Sequence, residues 1–127
     1  MVKERKCKDI VGKSCRDTVK DVRRMYLSED RQEMDEYGLS FDWVSPETFR
    51  NQDEGYFRWQ LSWGGPSDEF RFYGDASGHV FRIEYWYMDW FDGASVTLQG
   101  EDKGLMLDVF EYLTGGDAAG IIERTED

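Results

Sequence analysis

The feature that most restricts the fold is an alternation of apolar and polar residues between Tyr56 and Gln99. A period of two is typical of strands that bury one face. Glycine-containing turns at 64–68, 74–78 and 92–93 divide this stretch into four strands. Consecutive strands joined by such short turns predict an antiparallel meander. Its apolar face would carry Phe57, Trp59, Leu61, Trp63, Phe70, Phe72, Phe81, Ile83, Tyr85, Tyr87, Ala94, Val96 and Leu98.

Helical periodicity flanks the strands on both sides. Between Asp17 and Leu27, apolar residues recur at spacings of three and four, which places them on one side of a helix. The acidic segment that follows, up to Gly38, is either a short second helix or a mobile loop. An apolar stripe between Gly100 and Gly115 predicts a helix that covers one face of the sheet. The two stripes consist of Val19, Val22, Met25 and Tyr26, and of Leu105, Met106, Val109, Phe110 and Leu113.

The length of the chain sets its domain organisation. With 127 residues, the chain can bury one core but not two. We therefore predict a single α+β domain over residues 15–127, in which a four-stranded antiparallel sheet is flanked by N-terminal helices and covered by a C-terminal helix. Residues 1–14 form a basic leader with few apolar residues, which we expect to be mobile. No run approaches the roughly 20 apolar residues that span a bilayer, so we expect a cytoplasmic protein.

The charge of the chain is unevenly distributed, and this limits its partners. The net charge is -11, of which residues 1–24 contribute about +5 and residues 25–127 about -16. An acidic body repels nucleic acid and anionic membranes, so we expect neither direct nucleic-acid binding by the main domain nor a membrane partner. The basic leader is either a phosphate contact or a solvated helix face that balances the acidic body.

The residues that usually carry catalysis or bind metal are few. Cys7, Cys15 and His79 are the whole set of thiol and imidazole groups, too few for a zinc site without a carboxylate from elsewhere. Glu84 and Asp89 have the chemistry of a general acid and base, but they are two of 27 acidic residues. No nucleophile motif or phosphate-binding loop is present. We therefore expect no enzyme activity, no metal and no cofactor.

One strand combines rings with charge on its polar face. Glu84 and Trp86 lie on the side of the third predicted strand that faces away from the core. Arginines on the same face, Arg58, Arg71 and Arg82, can form cross-strand pairs with these groups, which would make the face purely structural. Alternatively, exposed rings beside charges form a protein-binding surface, because such residues are enriched in interfaces.

The end of the same strand adds three further candidates. Asp89, Trp90 and Asp92 stand beside Gly93, and Asp92-Gly93 is by itself an ordinary hairpin turn. Asp89 could instead bond local backbone amides. As a hypothesis, the partner-binding residues are Glu84, Trp86, Asp89, Trp90 and Asp92.

Two segments, LSWGGPSDEFRFY and IEYWYMDWFDGASVTL, resemble segments of small acidic proteins carried by phages, plasmids and other mobile elements. The resemblance covers Leu61 to Leu98. It implies a mobile-element setting, in which acidic inhibitors of restriction or CRISPR systems occur. The leading hypothesis is a non-enzymatic anti-defence inhibitor that engages a basic surface of a nucleic-acid-handling protein. The alternatives are a structural or regulatory accessory domain with a protein partner, and a small-ligand-binding or enzymatic domain that uses the aromatic sheet face.

Overall fold

The computed structural model describes residues 6–126. Over this range the chain forms helices at both ends and an antiparallel sheet between them. The helices are α1 (Cys7–Leu27), α2 (Gln32–Glu36), α3 (Gly100–Thr114) and α4 (Ala118–Glu126). The strands are β1 (Ser40–Val44), β2 (Tyr56–Ser62), β3 (Ser67–Gly74), β4 (Val80–Asp89) and β5 (Asp92–Thr97). The predicted α+β class is thereby confirmed.

The sheet has five strands, in the order β1-β2-β3-β4-β5, with every neighbouring pair antiparallel. The expected number of four was wrong because β1 was missed. This strand has only five residues, and Phe41 and Trp43 are its only rings, so its alternation is too short to stand out. In the fold it pairs with β2, and Trp43 stands opposite Phe57.

Three helices, α1, α3 and α4, share the covered face of the sheet. Helix α1 lies against β4 and β5. Helix α3 inserts Phe110 among the rings of β1, β2 and β3, with its centroid 5.1 Å from Phe57 and 5.0 Å from Phe72. The predicted covering helix, α3, therefore covers only part of the sheet. Helix α1 covers β4 and β5, and α4, which the sequence did not predict, packs against β1 and buries Ala118 and Ile122.

Helix α1 begins ten residues earlier than the apolar spacing indicated. Cys7, Val11 and Cys15 are buried and extend the apolar stripe by about three turns toward the N-terminus. The periodicity of the sequence does not mark the two cysteines as core residues, although free cysteine is among the most buried residue types. The expected boundary at residue 14 thus falls inside α1. Residues 1–5 of the leader lie outside the described residues, and the mobility of the leader stays a prediction.

The predicted apolar face of the sheet forms the core, with two exceptions. Phe57, Phe70 and Ile83 are completely buried. Trp63 is 78% exposed, because the pairing of β2 and β3 shifts register after Gln60 and β2 ends before Trp63. Phe81 is about half exposed. A period of two therefore identified the covered side but not the end of a strand.

The tight turn between β4 and β5 also differs from the sequence prediction. Asp89 pairs with Asp92, and Gly93 is already inside β5, opposite Met88. The turn residues are therefore Trp90 and Phe91 rather than Asp92 and Gly93. The chain reverses there because Trp90 adopts a left-handed backbone conformation, with a φ of 56°.

Candidate functional site

The five predicted partner-binding residues fall in two separate places. Glu84 and Trp86 lie on the face of the sheet opposite the helices, here called the open face, where Glu84 pairs with Arg71 and Trp86 with Glu69. Asp89, Trp90 and Asp92 lie at the β4–β5 turn. Each place has its own geometry.

On the open face, arginine side chains of the same chain stack on the aromatic rings. The guanidinium of Arg71 lies between two rings, 4.2 Å from the centroid of Trp86 and 4.8 Å from that of Tyr56. Its Nε donates a hydrogen bond of 2.8 Å to Glu69, whose side chain is only 4% exposed. Burial lowers the pKa of Arg71, but the attraction of Glu69 outweighs it and raises the pKa overall. The pair is charged and internally compensated.

The other two arginines of the open face are paired in the same way. Arg58 donates from Nε and Nη2 to the two carboxylate oxygens of Asp42, at 3.1 and 2.8 Å. Arg82 lies 4.0 Å from the ring centroid of Tyr73 and donates to Glu54 at 2.7 Å. The network of cross-strand pairs that the sequence suggested is therefore present.

Glu84 and Trp86 both belong to this network. The indole Nε1 of Trp86 donates to Glu84 Oε1 at 3.0 Å, and Glu84 Oε2 lies 3.3 Å from Arg82 Nε. A groove of about 540 Å³ runs between this face and the loop before β2. Its lining includes three arginines, Arg50, Arg58 and Arg71, and three carboxylates, Asp53, Glu54 and Glu69. The charges of the groove balance within the protein itself.

The second place is an exposed aromatic end of the sheet, here called the tip, formed by residues 63–65 and 89–92. Trp90 is 87% exposed, Phe91 is fully exposed, and Trp63 is mostly exposed. Large apolar side chains are costly to leave in water, so a cluster of them at one end of a small domain indicates an interaction surface.

The backbone at Trp90 supports that interpretation. Its φ of 56° lies in the left-handed region, which costs a residue with a Cβ roughly 1 kcal/mol. Glycine would avoid that cost, and the side chain that stands there instead contributes nothing to the core. Strain of this kind is commonly kept at binding sites.

The two carboxylates of the tip have different environments. Asp92 Oδ2 accepts a hydrogen bond of 2.8 Å from the Cys7 amide, which satisfies a free N–H in the first turn of α1. That bond holds the pKa of Asp92 below its usual value. Burial, followed by the bond to Asp92, raises the pKa of the Cys7 thiol. Asp92 therefore attaches the turn to α1.

Asp89, by contrast, has no hydrogen-bond partner for its carboxylate among residues 6–126, although the residue is half-buried. The local amide bonds that the sequence suggested for Asp89 are not found within that range, and the neighbouring Asp92 accepts from a distant amide, that of Cys7. Asp89 faces Gly65 of the neighbouring turn. A Cβ at position 65 would lie 3.4 Å from Asp89 Oδ1 and 3.7 Å from Trp90 Nε1.

A cleft flanks the ring of Trp90 on each side. One, of about 390 Å³, lies between Trp90 and Gly64, Gly65, Ser67 and Met88. The other, of about 400 Å³, lies toward the start of α1, and its lining includes Asp89, Phe91 and Lys6. The tip thus combines exposed rings, open space and a carboxylate that no side chain or amide of the described residues pairs with.

The sequence did not single out Trp63, Gly65 or Phe91 as part of a site. Trp63 appeared to continue the alternation of β2, although the glycines at 64 and 65 are a signal that the strand ends there. Nothing in the sequence places Gly65 beside Asp89, because the two belong to different hairpins.

Comparison with known proteins does not assign the chain to a family. No protein-family model matches the chain, and no curated protein or solved structure shows a significant similarity to it. Within residues 6–126, no group of three or more His, Cys, Asp or Glu side chains could hold a metal ion. In that same range no helix is long and apolar enough to cross a membrane.

Proposed function

We propose that this is a non-enzymatic binding protein whose tip engages a basic surface of a nucleic-acid-handling protein and thereby inhibits it. The observation that carries the proposal is the tip itself, where Trp90 and Phe91 are exposed on a strained turn between two aspartates. Tryptophan is among the residues that contribute most to binding when an interface buries them.

The charge of the chain supports a basic partner. Residues 25–127 carry about -16, and the arginines of the open face are already paired within the protein. An acidic body of this kind accelerates association with a positively charged surface, and salt weakens the effect. A groove that binds phosphates is one such surface, so this protein would compete with nucleic acid for it.

The mobile-element setting implied by the resemblance of Leu61 to Leu98 suggests which proteins to test first. Restriction and CRISPR effectors present large basic channels to DNA and RNA, and a mobile element gains by blocking them. Inhibition of a defence effector is therefore the specific form of the proposal.

The test is a binding measurement against purified restriction and CRISPR effectors at low and high salt, with duplex DNA as competitor. We expect binding that weakens steeply with salt and that DNA displaces. Trp90→Ala should weaken it about thirtyfold through faster dissociation, and Asp89→Lys should slow association. Glu123→Gln, on the exposed side of α4, removes one negative charge away from the tip and should bind normally.

Two results would overturn this proposal. One is a bound effector whose affinity does not change with salt and which binds DNA at the same time. The other is full binding by folded Trp90→Ala and Asp89→Lys. Either would favour the accessory-domain alternative, in which a different surface meets a different partner.

A second candidate function rests on the groove of about 540 Å³ on the open face. Its size suits a small molecule, and rings line it together with polar groups. Its charges are compensated internally, which weakens the case for a charged ligand. A screen of metabolites by thermal shift tests this candidate, because a ligand of the groove should raise the melting temperature of the wild type and not that of Trp86→Ala.

A further inference from the structure

We infer that the cleft between Gly65 and Trp90 receives one arginine side chain of the partner, with Asp89 as the counter-charge. The inference rests on the proposed function, because the arginine would belong to the basic surface that the tip is proposed to bind. It assigns a chemical class of ligand to one cleft of the tip.

The cleft exists because residue 65 has no side chain. Apart from the adjacent residues of the chain, only two atoms of residues 6–126 lie within 4 Å of the position that a Cβ would take there, Asp89 Oδ1 at 3.4 Å and Trp90 Nε1 at 3.7 Å. A larger residue would fill the space between the two turns. Glycine therefore leaves a carboxylate oxygen and an indole accessible from one side.

The charge of the cleft favours a cation. Among the residues that the structure describes, its lining is Gly64, Gly65, Ser67, Met88 and Trp90, with no basic side chain. Asp89 lines the neighbouring cleft, which it shares with Lys6, and its Oδ1 lies at the Gly65 wall of this one. Within residues 6–126 its half-buried carboxylate has no hydrogen-bond partner. A half-buried carboxylate without a partner gains from a donor that brings a positive charge.

Guanidinium fits better than ammonium. The Nε1 edge of Trp90 is turned toward Gly65, and the side chain is 87% exposed, so the ring faces remain accessible. A planar guanidinium can stack on such a face while it donates to a carboxylate at the edge of the ring. The protein already uses this arrangement on its open face, where Arg71 stacks on Trp86 and donates to Glu69.

The test uses the full chain labelled with 5-fluorotryptophan, with N-acetylarginine amide as the probe and ¹⁹F NMR as the readout. Trp90→Phe assigns the resonance of Trp90 among the five tryptophans. We expect the probe to shift that resonance saturably. N-acetylcitrulline amide, which has nearly the same shape without the charge, and N-acetyllysine amide should each bind about fivefold more weakly.

Two variants locate the site, and one serves as the control. Asp89→Asn removes the charge and keeps the shape, and Gly65→Leu fills the cleft; each should abolish the saturable shift. Glu123→Gln carries the same loss of charge as Asp89→Asn and should respond like the wild type. Asp89→Asn replaces no core contact, so it remains informative if Gly65→Leu fails to fold.

Equal binding of arginine and citrulline probes, or an unchanged response of folded Asp89→Asn, would overturn the inference. So would a saturable shift confined to other tryptophan resonances. The probe experiment needs no effector, so its failure leaves the salt and competition measurements intact. Conversely, an arginine-binding cleft in a protein that binds no effector would overturn the proposed function alone.

Discussion

The open face and the tip contain the same kinds of residue and use them in opposite ways. On the open face, Arg71 stacks on Trp86 and pairs with Glu69, and Arg82 stacks on Tyr73. At the tip, Trp90 is 87% exposed, and no cation of residues 6–126 lies over its ring.

This difference shows that a sequence rich in rings and charges does not by itself indicate a binding surface. Arginines of the same chain stack on the rings of the open face, so these rings contribute to the stability of the fold. In the part of the chain that the structure describes, the rings of the tip have no such partner, so they are available to another molecule. If this comparison is correct, substitutions on the open face should affect unfolding, and substitutions at the tip should affect binding.

The largest effect is expected for Arg71→Met. The substitution leaves Glu69 buried without its counter-charge, which should reduce the free energy of unfolding by about 3 kcal/mol. The double variant Arg71→Met with Glu69→Met should recover most of that loss, because it removes both charges. Urea unfolding of the wild type and of these variants measures both effects. A loss below about 1 kcal/mol for Arg71→Met would mean that water solvates the Arg71–Glu69 pair, and that the charges of the open face are not neutralised by each other.

A smaller loss is expected for Trp86→Ala. The ring is half-buried, stacks on Arg71 and donates to Glu84, so its removal should cost about 2 kcal/mol in urea unfolding. Trp90→Ala is the matched control, since the same change at the tip removes no such contacts. Equal losses for the two variants would break the comparison between the regions.

The turn at the tip should become more stable when its strain is relieved. Trp90→Gly should unfold with a free energy about 1 kcal/mol higher than that of Trp90→Ala, because glycine adopts a positive φ without steric cost. Thermal melts of the two variants give the difference. If Trp90→Ala is the more stable variant, the left-handed conformation does not persist in solution.

The smallest effect is expected for the pH dependence of the stability that Asp92 contributes. The amide of Cys7 lowers the pKa of Asp92 in the folded protein, so the bond stabilises the fold above the ordinary pKa of 3.8 and is lost as the pH falls through the lower folded value. Asp92→Asn should therefore melt below the wild type at neutral pH, and the gap should narrow in acid. If the difference in melting temperature between the wild type and Asp92→Asn stays constant down to strongly acidic pH, the negative charge of Asp92 does not contribute to stability.

The sequence predicted the covered face of the sheet and most of the elements around it. The alternation from Tyr56 onward and the apolar stripe of α3 are local patterns, and burial follows them directly. For the candidate site, it singled out the strand that ends at the tip, because rings beside charges are visible in the one-dimensional order; that these residues bind a partner stays a prediction. It also indicated the alternative of cross-strand pairs on the open face.

Only the tertiary structure decided which of these groups remain available. The sequence alone cannot show that the Cys7 amide donates a hydrogen bond to Asp92, because the two residues are 85 positions apart. Nor can it show that the residue beside Asp89 Oδ1 is a glycine, which has no side chain to cover it. The end of β2 before Trp63, the short strand β1 and the early start of α1 were also set by contacts with distant segments. Periodicity reports which side of an element avoids water, whereas the partner of a charge or a ring depends on which distant segments the fold brings within a few ångströms.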